Sequence, residues 1–174
     1  MDGLLLQTRS AHGTRRVGVA LGRLLSGGEV LALCGNLGAG KTTLVQGIAV
    51  GLGVDVRVTS PTFTLINEYG APNNRCRLLH ADTYRLAEPA AEAEMLGDLF
   101  DEEPTAVVAV EWAERVAALL PPDHLRVELG IVDATTRTLR LTATGVESAA
   151  LLERLCTRLA ELPEEATGRD IEFF

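Results

Sequence analysis

Lysine is all but missing from this chain. Of its 16 basic residues 15 are arginine, and the one lysine is Lys41. A residue type used once in 174 positions marks a place where a compact, hydrated ammonium is wanted and a planar guanidinium will not serve. Excess positive charge is missing too: 24 acidic residues give a net charge of −8, which disfavours a protein that grips phosphate backbones by itself. If a nucleic acid is involved, a partner is expected to hold it. The three cysteines, Cys34, Cys76 and Cys156, are an odd number at spacings that fit no zinc site, and each is expected as a reduced residue in an apolar segment. No apolar run approaches the ~20 residues of a bilayer span. The opening Met1-Asp2-Gly3-Leu4-Leu5-Leu6 has an acidic residue where a secretory signal has its positive charge, so a cytoplasmic protein without a membrane partner is expected. Internal repeats and low-complexity tracts are lacking as well.

What is present is an ordinary globular composition, 47% hydrophobic and 23% charged, in a length that suits one domain. A single domain over residues 1–162 is predicted, with residues 163–174, entered through Pro163-Glu164-Glu165, as a mobile tail. Periodicity predicts a strand at Leu4–Gln7, a helix from Ser10 to Leu25, a buried strand at Val30–Cys34 and a helix from Lys41 to Leu52. A β-rich stretch from Val56 to Tyr69 and a strand from Arg77 to Tyr84 flank a Gly70–Asn74 turn, which reads as a hairpin. An acidic helix from Pro89 to Leu99 precedes a second buried strand, Thr105–Val110, ending at Glu111-Trp112. A short helix to Leu120, two alternating strands (Leu125–Ile131 and Thr138–Thr144) and a helix from Val146 to Leu162 complete the chain.

The lone lysine lies in Gly35-Asn36-Leu37-Gly38-Ala39-Gly40-Lys41-Thr42, which satisfies G-x-x-x-x-G-K-[ST] after a buried strand and at the opening of a helix. Such a loop wraps a β-phosphate with inward N–H groups, which needs glycines free of Cβ atoms and able to take positive φ. The helix start adds its partial positive charge. Lys41 is expected on the β- and γ-phosphates, and the Thr42 hydroxyl on Mg²⁺. A plain strand-to-helix turn would have no reason to hold the only lysine.

Hydrolysis or transfer needs a carboxylate for the metal and a sensor of the γ-phosphate. Glu111, after Val107-Val108-Ala109-Val110, and Asp82, after Leu78-Leu79-His80-Ala81, are the two candidates, and both end strands. The bland alternative for each is a pairing with an arginine such as Arg85. Ser60-Pro61-Thr62-Phe63 has the look of a switch segment, in which Thr62 would close on the γ-phosphate; an ordinary loop threonine is the alternative. His80, inside a strand, reads as a structural histidine. Trp112 is expected partly exposed, serving a partner surface or a switch, against the alternative of a core aromatic. With no lysine outside the loop, the Asn-Lys-x-Asp guanine signature cannot occur, leaving ATP as the nucleotide. A small-molecule kinase and a nucleotide-gated binding module stay open on these residues alone.

Taken together, the run Gly35 to Thr43, Ser60-Pro61-Thr62-Phe63-Thr64, Glu68-Tyr69, His80-Ala81-Asp82-Thr83-Tyr84-Arg85-Leu86 and Glu111-Trp112 resemble the TsaE (YjeE) family over about residues 8 to 145. The resemblance implies an α/β P-loop NTPase fold with a mixed, mainly parallel central sheet flanked by helices. It implies a Mg²⁺-dependent ATPase, slow alone, acting on TsaB-like and TsaD-like partners in threonylcarbamoyladenosine modification at position 37 of tRNA. The tRNA would be reached only through that complex. It places Gly35 to Thr43 on ATP, Thr42, Glu111 and Asp82 at the metal, and Lys41, Asp82, Glu111 and Thr62 in catalysis, with Ser60 to Phe63 and Trp112 as switch or partner residues. Two departures stand out: Asn36 replaces the usual acidic residue, and Thr136-Arg137 stands where the family often has Gly-Arg, with Arg137 as a nucleotide contact. The stretch from Thr8 to Thr14 resembles the one beside the adenine.

Overall fold

A computed structural model describes residues 3–61, 65–70, 76–85, 96–100, 105–162 and 170–174. Eight strands form one sheet in the order β3-β4-β5-β2-β6-β7-β1-β8. In chain order these are β1 (Gly3–Thr8), β2 (Val30–Cys34), β3 (Ile66–Tyr69), β4 (Leu78–Asp82), β5 (Val107–Glu111), β6 (Leu125–Ile131), β7 (Arg137–Ala143) and β8 (Ile171–Phe173). The helices described over their whole length are α1 (Ala11–Gly22), α2 (Lys41–Leu52) and α3 (Val146–Ala160), with a 3₁₀ turn at Ala113–Val116.

The centre of the sheet, β4-β5-β2-β6, is parallel, and its margins are antiparallel. Strands β2, β4 and β5, apolar apart from His80, Asp82 and Glu111, are buried at every position, as a sheet covered on both faces requires. Alternation along β2 sends Leu31 and Leu33 into a core shared with α1, α2 and α3. Val30, Ala32 and Cys34 point the other way, toward Leu96, Ala113 and Val116. By the same parity Leu78, His80 and Asp82 on β4, and Val107, Ala109 and Glu111 on β5, share the α2 side. The strands run so that their carboxyl ends meet at one edge, where the β2–α2 loop also lies.

Helices α1 and α2 touch backbone to backbone. A Cβ on Gly18 would stand 2.4 Å from the Leu44 carbonyl oxygen, one on Gly47 2.1 Å from that of Arg15, and one on Gly22 2.2 Å from that of Ile48. Glycine is needed there for the absent side chain, and the contact locks the start of α1 beside the start of α2.

Several sequence expectations shift in detail. Helix α1 begins with Ser10 as its cap, the Ser10 Oγ accepting from Gly13 N at 3.0 Å, and ends at Gly22 instead of Leu25; Leu25 still packs in the core. The hairpin is present as β3 and β4, paired from Ile66↔Ala81 to Tyr69↔Leu78, although its turn lies outside the described residues. Of the expected acidic helix, residues 96–100 are helical and the rest lies outside the description. The mobile tail is corrected at its end: Ile171–Phe173 pair with Thr8 to Leu6 of β1. An edge strand has unpaired N–H and C=O groups to offer, and β1 takes this short segment as its cover. Among the described residues no helix is long and apolar enough to cross a membrane.

Candidate functional site

The loop between β2 and α2 is shaped by glycines. Gly35, Gly38 and Gly40 take φ of 137°, 79° and 103°, a region that L side chains rarely adopt. A Cβ at Gly35 would also meet the Leu129 carbonyl oxygen at 2.4 Å, whereas one at Gly38 would meet nothing within 4 Å. The loop is therefore tight at its base and open at its crown, where Leu37 is exposed. Gly40 caps α2 without any side-chain hydrogen bond, leaving the positive end of the helix facing the cleft.

Lys41 is only 5% exposed. Its Nζ donates to the carbonyls of Gly35 (2.5 Å) and Asn36 (3.0 Å) and lies 3.7 Å from the ring centroid of Trp112. Burial lowers its pKa from the usual 10.5, against the opposing pull of Glu111, Glu114 and Asp82. A desolvated ammonium among carbonyls and an aromatic face is ready to transfer to phosphate oxygens.

Asp82 and Glu111 are register partners on adjacent parallel strands. Both are buried. Glu111 Oε1 accepts from Thr42 Oγ1 and from His80 Nε2, each at 2.8 Å. Asp82 Oδ2 accepts from Ser60 Oγ at 2.7 Å, and its Oδ1 from Tyr84 N at 2.9 Å. Lys41, Thr42, Thr43, Ser60, Asp82, Glu111 and Trp112 line one cleft of about 390 Å³. Part of the expected phosphate loop, both candidate metal carboxylates, and Ser60 and Trp112 of the expected switch residues thus face a common space. Thr62 and Phe63 lie outside the described residues; Pro61 is buried and its carbonyl accepts from Leu65 N at 2.9 Å, across the segment that holds them.

Trp112 is half-buried and left-handed, with φ 59° and ψ 37°, an uncommon conformation for an aromatic residue. Thr83 holds it there, its Oγ1 donating to the carbonyls of Glu111 (3.0 Å) and Trp112 (2.8 Å). The turn swings the indole back over Lys41 and against Tyr84, whose ring centroid is 4.8 Å away. Sequence reasoning named Thr83 and Tyr84 within a motif but gave them no role, and it missed the contact of His80 with Glu111; a strand pattern does not say which neighbours meet across a sheet.

Arg137 is placed against the loop, donating to Gly38 O at 3.2 Å. The β6–β7 turn brings it there. Asp133 accepts from Thr135 N and Thr136 N at 2.9 and 2.8 Å, and these N–H groups hold its carboxyl down to about 2. Arg137, Thr14, Ala11, Gly38, Gly40 and Thr43 surround a smaller recess of about 160 Å³, adjoining the loop on the side away from Glu111. The Thr8 and Thr14 hydroxyls, 2.7 Å apart, tie the two ends of that α1 entry together.

The donors toward the cleft are oxygens: a threonine and a serine hydroxyl and two carboxylates. That set suits Mg²⁺, which keeps water and phosphate ligands and needs no complete protein cage. Among the described residues no group of three or more His, Cys, Asp or Glu forms such a cage.

Comparison with known proteins shows the family. Residues 8–139 match the model of the family described as threonylcarbamoyl adenosine biosynthesis protein TsaE. The tRNA threonylcarbamoyladenosine biosynthesis protein TsaE of Treponema pallidum (strain Nichols) is 43% identical over 131 residues, covering 72% of this chain and 90% of the relative. The TsaE protein of Bacillus subtilis (strain 168) is 36% identical over 157 residues, covering 89% and 95%. The crystal structure of Bacillus subtilis YdiB superposes with a TM-score of 0.72 at 30% identity, over 90% of this chain and 95% of that one. With its glycine loop, its lone lysine and its paired strand-end carboxylates in place, the chain belongs to the TsaE family of threonylcarbamoyladenosine biosynthesis.

Proposed function

We propose that this chain binds ATP with Mg²⁺ in the cleft between the β2–α2 loop and the ends of β4 and β5, and hydrolyses it to act on TsaB-like and TsaD-like partners. The observation that supports this best is the Thr42–Glu111 hydrogen bond of 2.8 Å at the uncapped start of α2. It sets a hydroxyl and a carboxylate side by side where a β,γ-phosphate and its cation belong.

Each residue then has a part. The loop N–H groups and Lys41 hold the phosphates, and Lys41 exchanges its carbonyl partners for phosphate oxygens. Thr42 and Glu111, with Asp82 beside them, would hold Mg²⁺, which supplies charge neutralisation on the β- and γ-phosphates. The carboxylate that does not hold the cation orients the attacking water. That water adds to the γ-phosphorus as the bond to the β–γ bridging oxygen breaks, giving ADP and inorganic phosphate. Arg137 and the Thr8–Thr14 entry of α1 frame the recess for the base. Ser60 to Phe63, anchored at Ser60 on Asp82, act as the switch, and the half-buried Trp112 couples Lys41 to the surface. The chain's acidity leaves tRNA to the partners. Its own turnover is slow, for among the described residues no arginine lines the cleft to stabilise transition-state charge, a role worth ~10³-fold or more.

The test is single-turnover hydrolysis with and without the partner proteins. Lys41→Ala is expected to weaken ATP binding and end hydrolysis, and Thr42→Ala to impair mainly the Mg²⁺-dependent turnover. ATP should outcompete GTP. Near-wild-type turnover in both variants would remove the site, a phosphorylated small molecule would make the protein a kinase, and tight binding without partner-stimulated turnover would make it a binding module.

A further inference from the structure

His80 is fully buried on β4, and its role is not that of a generic core residue. Its Nε2 stands 2.8 Å from Glu111 Oε1, while its Nδ1 is buried with no hydrogen-bond partner. A buried polar atom left without a partner costs free energy, so the ring is kept for the one bond it does make. Its neighbour in register on β5 is Ala109, small enough to leave the imidazole room to lean toward Glu111 two residues on. Apolar residues fill the neighbouring inward positions, Leu78 on β4 and Leu31 on β2 level with it; on these two strands the histidine stands at the inward position that reaches a carboxylate.

The bond has a specific consequence. Glu111 Oε1 accepts from both His80 and Thr42. In the proposed nucleotide-bound state Thr42 turns its hydroxyl oxygen to the cation, and Glu111 loses that tether. His80 stands on β4, paired on both sides by β3 and β5, and has no part at the cation, so it is the one of the two free to go on holding the carboxylate. We propose that His80 is a positioning residue, which fixes the Glu111 carboxylate through Oε1 and thereby keeps Oε2 directed at the metal and water side of the cleft. The inference rests on the ATPase reading given above and deepens it by naming what orients the carboxylate. Outer partners of this kind are worth about 10- to 100-fold in metal affinity or activity when removed.

The experiment compares wild type with His80→Leu, which keeps the bulk and removes the donor, and His80→Gln, whose amide can donate to the same oxygen. Trp112 fluorescence reads ATP affinity with and without Mg²⁺, and single-turnover assays with the partner proteins read rate and KM. Imidazole nitrogen resonances are recorded for the wild-type chain and for Glu111→Gln. Expected are a His80→Leu variant with near-normal Mg²⁺-free ATP affinity, a Mg²⁺-dependent gain in affinity reduced about 10- to 100-fold, a rate reduced likewise at little changed KM, and partial recovery in His80→Gln. The His80 resonance should move in Glu111→Gln. A folded His80→Leu chain with the full Mg²⁺-dependent gain would overturn the inference, as would a His80 resonance indifferent to Glu111→Gln should neither His80 variant fold. Failure of the wild type to hydrolyse ATP with partners would sink the ATPase reading alone, because the binding gain and the resonance still decide the role of His80.

Discussion

Lys41 illustrates how a buried charge is held at a cost. The side chain is buried with its charge, and its pKa is lowered from 10.5 chiefly because burial disfavours the ammonium. A lowered pKa means that the folded chain binds fewer protons than the unfolded one between the folded value and 10.5. The cost of burying the charge is therefore complete below the folded value and fades as pH rises toward 10.5. Lys41→Met should give a nucleotide-free chain at least as stable as wild type near neutral pH, with the difference shrinking as pH climbs toward 10.5; urea midpoints across that range measure it. A variant markedly less stable at neutral pH would mean that the bonds to Gly35 and Asn36 and the contact with Trp112 outweigh the desolvation. The sequence singled out Lys41 by its singularity and Trp112 by its place after Glu111, but it did not show that the indole lies over the ammonium. That placement depends on a left-handed backbone at Trp112, which a strand-like run ending in an aromatic residue does not announce.

At the scale of elements, the strand–loop–helix unit and the three central strands were readable because buried parallel strands are continuous apolar runs and the loop has fixed spacing. The hairpin of β3 and β4 was readable from its turn composition. The pairing of β1 with both β7 and β8 was not, since it joins the two ends of the chain and no local pattern encodes partners some 130 and 165 residues away. Nor was the glycine contact of α1 and α2: nothing local in the sequence says that the backbones at Gly18, Gly22, Gly47 and Gly51 meet. Gly47→Ala puts a Cβ 2.1 Å from a backbone oxygen, so the helices must separate. The expected loss is about 1–3 kcal/mol, read by denaturant unfolding, together with weaker ATP binding as α2 shifts. An unchanged midpoint would show that the crossing yields more easily than its geometry indicates.

For the molecule as a whole, charge is the deciding property. With a net charge of −8, the isolated chain should not retain tRNA at about 0.15 M salt, the ionic strength at which surface electrostatics are already screened beyond ~8 Å. Filter binding or gel shift with and without the partner proteins checks this; tRNA held by the chain alone would give it a basic surface that its composition does not supply.

The interlocked glycines of α1 and α2 also set how the protein opens. Because neither helix can move out without the other, their backbone amides should exchange with solvent through the same event and at one protection level, Leu21 with Val45 and Ile48. The two edges of the nucleotide cleft, base side and phosphate side, would then share a single local opening free energy. ATP that bridges them should slow exchange along both helices by the same factor, leaving the β6–β7 hairpin to respond separately. Deuterium uptake resolved by segment would show one step if this holds, and two if the helices open independently.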